Sequence, residues 1–280
     1  MSEITVVIPA KNEAENLASC IASVTALGPT VVVDSGSMDD TKTIAKAAGA
    51  GILDFEWNGQ FPKKRNWTLR RYDFKTKWVL FLDADEFVSS EFIEEVQAAI
   101  HNTHHVGFWL NFENHFLGKK LRGGDPLRKL ALFRVGAGEY EKIEEDNWSH
   151  LDMEVHEHPV LEGTVGEIKT PIEHNDFRGL KHYIAKHNEY SSWEAARYLR
   201  LHTNNGLRRK ISCEDWKNLT DRQKRKYRNL AKWWFAPAYF IVSYFFKKGF
   251  LDGVVGFHFS LHKAIYFYQI RLKILEAIKG

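Results

Sequence analysis

The stretch VLFLDADEFV, residues Val79–Val88, joins a run of four apolar residues to three acids. The apolar run predicts a buried strand, because it is short, uninterrupted and apolar on both faces. Asp83, Asp85 and Glu86 follow it within four positions. Because buried carboxylates need a counter-charge, the end of this strand is expected to hold a cation.

Three earlier apolar runs alternate with helical patterns. The runs are Ile4–Ile8, Val31–Val33 and Ile52–Phe55. Strands that are apolar on both faces and alternate with helices predict a parallel sheet covered on both sides. Ligands bind such sheets beyond the carboxyl ends of the strands. Turn residues and acids stand at these ends, in residues 9–13, 34–40 and 83–86. Asn12, three residues before Glu15, is expected to cap the first helix.

Asp83 and Asp85 stand at positions i and i+2 of an extended segment, so both carboxylates point to one side. Such a pair suits Mg²⁺ or Mn²⁺, whose open positions phosphate oxygens fill. In the competing interpretation the acids merely favour the start of a helix. Asp34, at the end of the second strand, could accept hydrogen bonds from a ribose or base. In the alternative interpretation, the following SGSMDDT serves only as a helix cap.

A third helix is predicted over Pro62–Tyr72. Lys64 and Arg65 lie near its start, where cations and free backbone N–H groups suit a phosphate. In the competing interpretation these side chains lie on a solvated helix face. For Lys63 we expect the solvated face.

Several classes of protein are excluded or disfavoured. The first strand is followed by PAKNEAEN, without the G-x-G-x-x-G of dinucleotide-binding folds, and no G-x-x-x-x-G-K-[ST] loop is present. A formal charge of +3 gives no reason to expect nucleic acid. Cys20 and Cys213 form no disulfide framework. The N-terminus does not resemble a signal peptide, so a cytosolic protein is expected.

Beyond the first hundred residues the pattern changes. The segment VGFWLNFENHFLG alternates aromatic and polar residues and predicts an antiparallel strand with one wet face. From Leu180 the pattern is helical almost to the end. No run of eighteen apolar residues occurs, so a simple membrane-spanning helix is not expected.

The motifs TVVIPAKNEAENL, VVVDSGSMDDT, FPKKRN and VLFLDADEF, in this order, resemble the nucleotide-sugar-binding half of family 2 glycosyltransferases. The resemblance implies an α/β GT-A fold: a Rossmann-like, mostly parallel sheet with flanking helices, here with a C-terminal helical membrane-associating extension. FENHFLGKKL, LRKLALFR and VHEHPVLEGTVGEI are similar to a membrane-associated subgroup that includes lipopolysaccharide core β-glucosyltransferases. The expected divisions are 1–105 for the nucleotide-sugar half, 106–178 for the acceptor-side half and 179–280 for the extension.

The resemblance also implies roles for single residues. Pro9 and Glu13 would border the nucleoside, and Asp34 would contact the uracil or ribose. Asp83 and Asp85 would form a D-x-D site, with Asp85 nearer the metal. The family usually inverts the anomeric centre, which requires a base on the acceptor side. Glu157 in EVHEHP is the candidate base, and Asp152 and Glu154 are less favoured.

The remaining candidates line the acceptor side or the metal. His174 or His156 is expected near the diphosphate or as a further metal ligand, and a separate zinc site is the less favoured alternative. Trp148 is a candidate for stacking on a sugar. Arg128 could line the acceptor groove or simply pair with a nearby acid.

The tail has a basic stretch before the aromatic run Trp233–Phe246. Basic residues with aromatics at both ends predict a segment that lies in the lipid headgroup layer and binds anionic lipid. The alternative is a helical pair packed on the catalytic domain. The expected membrane contacts are Trp233, Trp234, Tyr239, Phe240, Lys247 and Lys248.

Together these features predict a metal-dependent, inverting glycosyltransferase with Mg²⁺ or Mn²⁺ as cofactor. It would transfer a sugar from a UDP-sugar to a lipid-linked or membrane-borne saccharide in lipopolysaccharide, capsule or exopolysaccharide synthesis. The expected location is the cytoplasmic face of a bacterial inner membrane, as a peripheral or monotopic protein. The alternatives are a polyprenyl-phosphate sugar transferase and a non-catalytic nucleotide-sugar-binding scaffold.

Overall fold

The computed structural model describes residues 3–124, 127–142, 152, 158–174, 179–205, 208–211, 216 and 219–279. The chain forms two compact units. Unit 1 comprises Met1–Asn114 and Pro126–Asp176, and unit 2 comprises His115–Asp125 and Phe177–Gly280. The expected division of the first 178 residues into two halves stays a prediction.

Unit 1 begins with four parallel strands in the order β3-β2-β1-β4. All residues of β1 and β4 are buried, which requires cover on both faces of the sheet. The parallel α/β arrangement expected from the sequence is therefore confirmed. The strands are β1 (Ile4–Ala10), β2 (Thr30–Asp34), β3 (Gly51–Asp54) and β4 (Trp78–Phe81), and the helices are α1 (Leu17–Val24), α2 (Thr41–Ala47), α3 (Lys64–Arg71) and α4 (Ser90–Ile100).

The second half of the sheet mixes directions and continues in the order β4-β8-β6-β11-β5. The strand β8 is antiparallel to both β4 and β6, whereas β11 is parallel to β6 and antiparallel to β5. This last pairing sets His174 opposite Glu86. The strands of this half are β5 (Glu86–Phe87), β6 (Gly107–Phe116), β8 (Leu127–Arg134) and β11 (Val165–His174). The short strand β7 (Lys119–Lys120) pairs with β6, and β9 (Gly138–Tyr140) and β10 (Pro159–Leu161) form a separate two-stranded sheet.

The start of α1 differs from the prediction, since Asn12 does not cap the helix. Asn12 takes a left-handed conformation at φ 55°, and α1 begins only at Leu17. Its backbone N–H donates to Ser37 Oγ at 2.8 Å, and its side-chain oxygen accepts from the Met38 N–H at 2.8 Å. The loops after β1 and β2 are thus joined by hydrogen bonds, which replace the local cap.

Unit 2 is mainly helical, as its sequence predicts, and packs Tyr227, Leu230, Ile270 and Ile274 at zero exposure. The structure adds an antiparallel pair of strands, β12 and β13, that the sequence interpretation missed. Among the described residues, no helix combines the length and apolar character needed to cross a bilayer. The elements are α5 (Leu180–Leu201), β12 (His202–Asn205), β13 (Arg208–Ile211), α6 (Asp221–Asn229), α7 (Phe235–Ile241), a π-helical segment (Val242–Phe246), a 3₁₀ turn (Gly249–Asp252) and α8 (Gly253–Lys279).

Candidate active site

A cluster of charged side chains lies where β4 ends in unit 1. The Asp83 carboxylate accepts a hydrogen bond at 2.8 Å from Arg65 Nη2 and another at 2.7 Å from Lys129 Nζ. Lys129 also pairs closely with the Glu86 carboxylate. The second oxygen of Glu86 accepts from the Asp83 backbone N–H at 2.9 Å. The two acids therefore share one lysine, and Asp83 has an arginine as well.

Elements distant in sequence supply the two cations. Arg65 lies in the first turn of α3, with its guanidinium 5.4 Å from the centre of the Tyr140 ring. Lys129 lies on β8, which runs antiparallel to β4, and its ammonium is 4.8 Å from the centre of the Phe112 ring. The side chain of Glu86 is only 1 % exposed, so its charge depends on this pairing.

The cations affect the two acids differently. Burial opposes ionisation of Asp83, but Lys129 and Arg65 outweigh it and hold the pKa of that carboxyl well below its usual range. Burial raises the pKa of Glu86 to about 7, because Lys129 offsets only part of the desolvation and of the repulsion from Asp83. Asp83 is thus the fixed anion of the pair.

Lys64 places a further cation at the same edge of the sheet. Its ammonium is buried, 3.2 Å from Asp152 Oδ2 and 3.4 Å from the carbonyl oxygen of Ala10 at the end of β1. Burial lowers the pKa of Lys64. Burial acts to raise the pKa of Asp152, but Lys64 outweighs it and keeps that pKa below its usual value. The solvated face expected for Lys63 is wrong, since Lys63 is only 4 % exposed.

Asp34 is held by its own loop. Its side chain is fully buried, and Oδ2 accepts from the backbone N–H groups of Gly36 and Ser37, both at 3.0 Å. Burial opposes its ionisation, but the Ser37 hydrogen bonds and Lys42 keep the pKa of Asp34 below its usual value. These contacts stabilise the loop that follows β2. The role of Asp34 in nucleoside binding stays a prediction.

Asp85 and His174 are the pair that fits a divalent cation. Their nearest side-chain atoms, Oδ2 and Nε2, are 3.9 Å apart, and the two side chains are only 11 % and 19 % exposed. A cation with ligands at about 2.1 Å can contact two donors at that separation. Among the described residues no three His, Cys, Asp or Glu side chains converge as metal ligands. Two protein ligands leave most positions to phosphate oxygens and water.

Other predicted residues lie elsewhere or outside the described residues. Arg128 pairs with Glu167 at 3.0 Å and stacks near Trp109, so the structure does not bring it to the cluster. Pro9 is buried in β1 beside Val33 of β2. Trp148, His156 and Glu157, together with the substitute base Glu154, are outside the described residues.

Glu13 lies in the joined loops, where its backbone N–H donates to Thr41 Oγ1 at 2.8 Å. This contact holds the loop after β1 against the start of α2. The expected position of Glu13 beside the nucleoside stays a prediction.

Lys129 is the site residue that the sequence interpretation missed. It follows Arg128 on β8, so the two side chains point to opposite faces of the sheet. A lysine amid the apolar residues of LRKLALFR was the available signal, because buried lysines are nearly always paired.

Comparisons with known proteins place this geometry in context. The model of the family described as Glycosyl transferase family 2 matches residues 5–152. Those residues include all of β1 except Ile4, all of β4, Arg65, Lys129 and the acids at the end of β4.

Two curated relatives span nearly the whole chain. An "uncharacterized glycosyltransferase" of Rickettsia felis is 25 % identical over 99 % of this chain and 92 % of its own length. The lipopolysaccharide core biosynthesis glycosyltransferase LpsC of Rhizobium meliloti is 24 % identical over 95 % of this chain and 89 % of its own.

Among solved structures, glucosyl-3-phosphoglycerate synthase of Mycobacterium tuberculosis, in complex with Mn²⁺, UDP and glucosyl-3-phosphoglycerate, is 26 % identical. The likeness covers 38 % of this chain and 42 % of that one, with a TM-score of 0.31. It is therefore a partial likeness.

Proposed function

The chain belongs to glycosyl transferase family 2, whose model matches more than half of its 280 residues, and we propose that it is an inverting, metal-dependent hexosyltransferase. The donor would be a UDP-sugar and the acceptor a lipid-linked or membrane-borne saccharide. The observation that carries this proposal is the cluster of Asp83, Asp85, Arg65 and Lys129 at the end of β4.

The cluster suits a leaving diphosphate for electrostatic reasons. Arg65 and Lys129 point their donors at Asp83, and Lys64 adds a third cation beside the end of β1. Cations fixed in a partly buried site stabilise a diphosphate more than mobile surface charges do, because they need not reorganise as charge develops. Arg65 would bind the diphosphate oxygens by its fork of N–H donors.

Asp85 and His174 would hold Mg²⁺ or Mn²⁺. When bound there, the metal would neutralise charge on the leaving diphosphate. Asp83 would orient Arg65 and Lys129 toward the same group, since both of its oxygens already accept from those side chains.

The acceptor hydroxyl must lose a proton as it attacks the anomeric carbon, and a carboxylate within hydrogen-bond reach is sufficient for that. We propose Glu157 for this role. Asp152 suits it less well, because Lys64 holds its pKa below the usual value and so makes it a weaker base.

The likeness to LpsC over almost the whole chain supports a saccharide acceptor in lipopolysaccharide core synthesis. Capsule or exopolysaccharide intermediates remain part of the same proposal. The enzyme would work at the cytoplasmic face of the inner membrane, where such acceptors are built on lipid anchors.

A nucleotide-sugar screen by thermal shift tests the donor proposal. At one hundred times its dissociation constant, a UDP-sugar with Mn²⁺ or Mg²⁺ is expected to raise the melting temperature by about 5 °C or more. GDP- and ADP-sugars, measured under the same conditions, are the comparison ligands for the UDP-sugar. If no nucleotide sugar stabilises the protein with either metal, the proposed donor site is wrong.

The Glu157→Gln variant tests the base. Loss of a general base is expected to lower kcat by about 10²-fold to 10⁴-fold while leaving the donor-induced thermal shift unchanged. Glu154→Gln is the matched control and should retain activity. Full activity of Glu157→Gln would instead favour a polyprenyl-phosphate acceptor, whose phosphate oxygen is already an anion and needs no base.

A further inference from the structure

The connection between α7 and α8 in unit 2, together with the first turn of α8, exposes large apolar side chains. Five of them form what we call the apolar tip. Their exposed fractions are 56 % for Phe245, 77 % for Phe246, 46 % for Phe250, 53 % for Leu251 and 72 % for Val254. Single exposed apolar residues are ordinary, but a concentration of this kind within ten residues marks a binding surface.

Ring contacts connect the apolar tip. The Tyr244 ring lies 5.1 Å from the ring of Phe245 and 6.5 Å from that of Phe250, between ring centres. It also lies 5.8 Å from the ring of Phe257, which is itself 40 % exposed. Tyr244 is therefore a common base for the rings of Phe245, Phe250 and Phe257.

Close packing holds the turn beneath the apolar tip. The Asp252 carboxylate is buried and accepts hydrogen bonds from the backbone N–H groups of Arg122 and Gly123 at 2.9–3.0 Å. A Cβ at Gly123 would lie 2.3 Å from the carbonyl oxygen of Lys248, so the two backbones are in close contact. The tip is thus presented in a defined conformation.

Two of the expected membrane residues are partly buried. Tyr239 packs 4.4 Å from the Phe267 ring and Phe240 packs 5.6 Å from the Phe257 ring, both against α8. Trp233 is 74 % exposed and Trp234 is 39 % exposed. The structure therefore places a group of highly exposed apolar residues in the turn that follows α7 and at the start of α8.

Charge indicates what the apolar tip binds. Lys247 and Lys248 lie between Phe246 and Phe250, and Asp252 is the sole acid in the sequence between Trp233 and Leu275. Asp252 is buried and bonded to the backbone, so it offers no negative charge to a partner. An anionic bilayer matches this surface, because its headgroups carry negative charge above an apolar layer.

A second copy of the chain fits this surface less well. A symmetric dimer would place the same patch on both sides of the contact. It would bring the Lys247 and Lys248 side chains of two molecules together without an exposed acid in this stretch to pair with them.

We propose that the apolar tip inserts into the boundary between headgroups and acyl chains of an anionic membrane, with Lys247 and Lys248 contacting lipid phosphates. This proposal rests on the proposed function in one respect: a membrane-borne acceptor would bring the enzyme to a membrane surface. Insertion itself requires no catalysis.

Vesicle sedimentation with the full-length protein tests the proposal. The Phe246→Ser/Leu251→Ser variant is expected to lower the partition coefficient on vesicles containing about 30 % phosphatidylglycerol by about tenfold or more. Met38→Ser is the matched control, because Met38 is 93 % exposed but lies in unit 1, and it should bind as the wild type does. Lys247→Gln/Lys248→Gln should weaken binding to these vesicles but not to pure phosphatidylcholine.

Three outcomes would overturn the proposal: no binding of the wild type, unchanged binding of the tip variant, or a wild-type dimer in sedimentation velocity that the tip variant loses. The lipid-free thermal shift with nucleotide sugar separates this proposal from the proposed function. A tip variant that keeps the donor-induced shift is folded and keeps its donor site. Vesicle binding without any nucleotide-sugar shift would refute the enzyme proposal alone.

Discussion

Replacing Lys129 by methionine is expected to lower the free energy of unfolding by about 2–4 kcal/mol, since it leaves buried acids without their shared cation. Methionine keeps the apolar stem, so little packing is lost. Glu86, at 1 % exposure, would then lose the cation that offsets its burial and would have to take up a proton, and Asp83 would lose one of its two cationic hydrogen-bond donors and keep Arg65. Urea unfolding at neutral pH measures the effect.

A second substitution and a surface control make this test specific. Glu86→Gln in the Lys129→Met background removes the buried acid that has lost its cation and is expected to restore most of the lost stability, so the two effects are not additive. Lys75→Met breaks an exposed pair with Asp73, both side chains being 80 % exposed, and should have no measurable effect. A Lys129→Met protein as stable as the wild type would show that the lysine does not support these acids.

Replacing Asp85 by asparagine is expected to lower transferase activity by about 10³-fold or more, because the cation that would stabilise the leaving diphosphate loses its carboxylate ligand. Asparagine has nearly the same size, so the fold should be retained in circular dichroism. The direct measurement is Mn²⁺ binding by electron paramagnetic resonance with UDP present, which should weaken strongly in the variant.

Asp54→Asn is the matched control for Asp85→Asn. Asp54 also ends a parallel strand, but its side chain is 75 % exposed and pairs with Lys42 at 2.6 Å. This control should keep both Mn²⁺ binding and activity. If Asp85→Asn binds Mn²⁺ as the wild type does, the metal lies elsewhere. If it also keeps full activity, catalysis does not depend on a metal held by Asp85, and the metal-dependent part of the proposal is wrong.

The sheet was predictable as far as β4 because its signals are local. Runs such as Ile4–Ile8 and Val79–Leu82 are apolar on both faces, and this alone predicts a parallel sheet covered by helices. The start of α4 is also local, because the Oγ of Ser89 accepts from the Phe92 N–H at 3.2 Å. The Asn12 cap failed because hydrogen bonds to Ser37 and Met38, about 25 residues away, replaced it.

The candidate site was predictable in its acids but not in its cations. Asp83 and Asp85 follow an apolar strand directly, so their place at the sheet edge could be read from adjacent residues. Lys129 lies 46 residues from Asp83 and reaches it only because β8 pairs antiparallel with β4. Nothing in the periodicity of either segment specifies that pairing.

The sequence by itself determined the parallel half of the sheet, the acidic end of β4 and the helical, aromatic character of the tail, because each depends on residues close together in the chain. The tertiary structure decided that Lys129 and Arg65 share Asp83, and that Phe246 is exposed while Tyr239 packs against Phe267. Ion pairing and exposure depend on which distant segments come together in space. The acids that follow the apolar run of VLFLDADEFV show that this strand end needs cations. Only the fold shows that the protein's own side chains supply two of them.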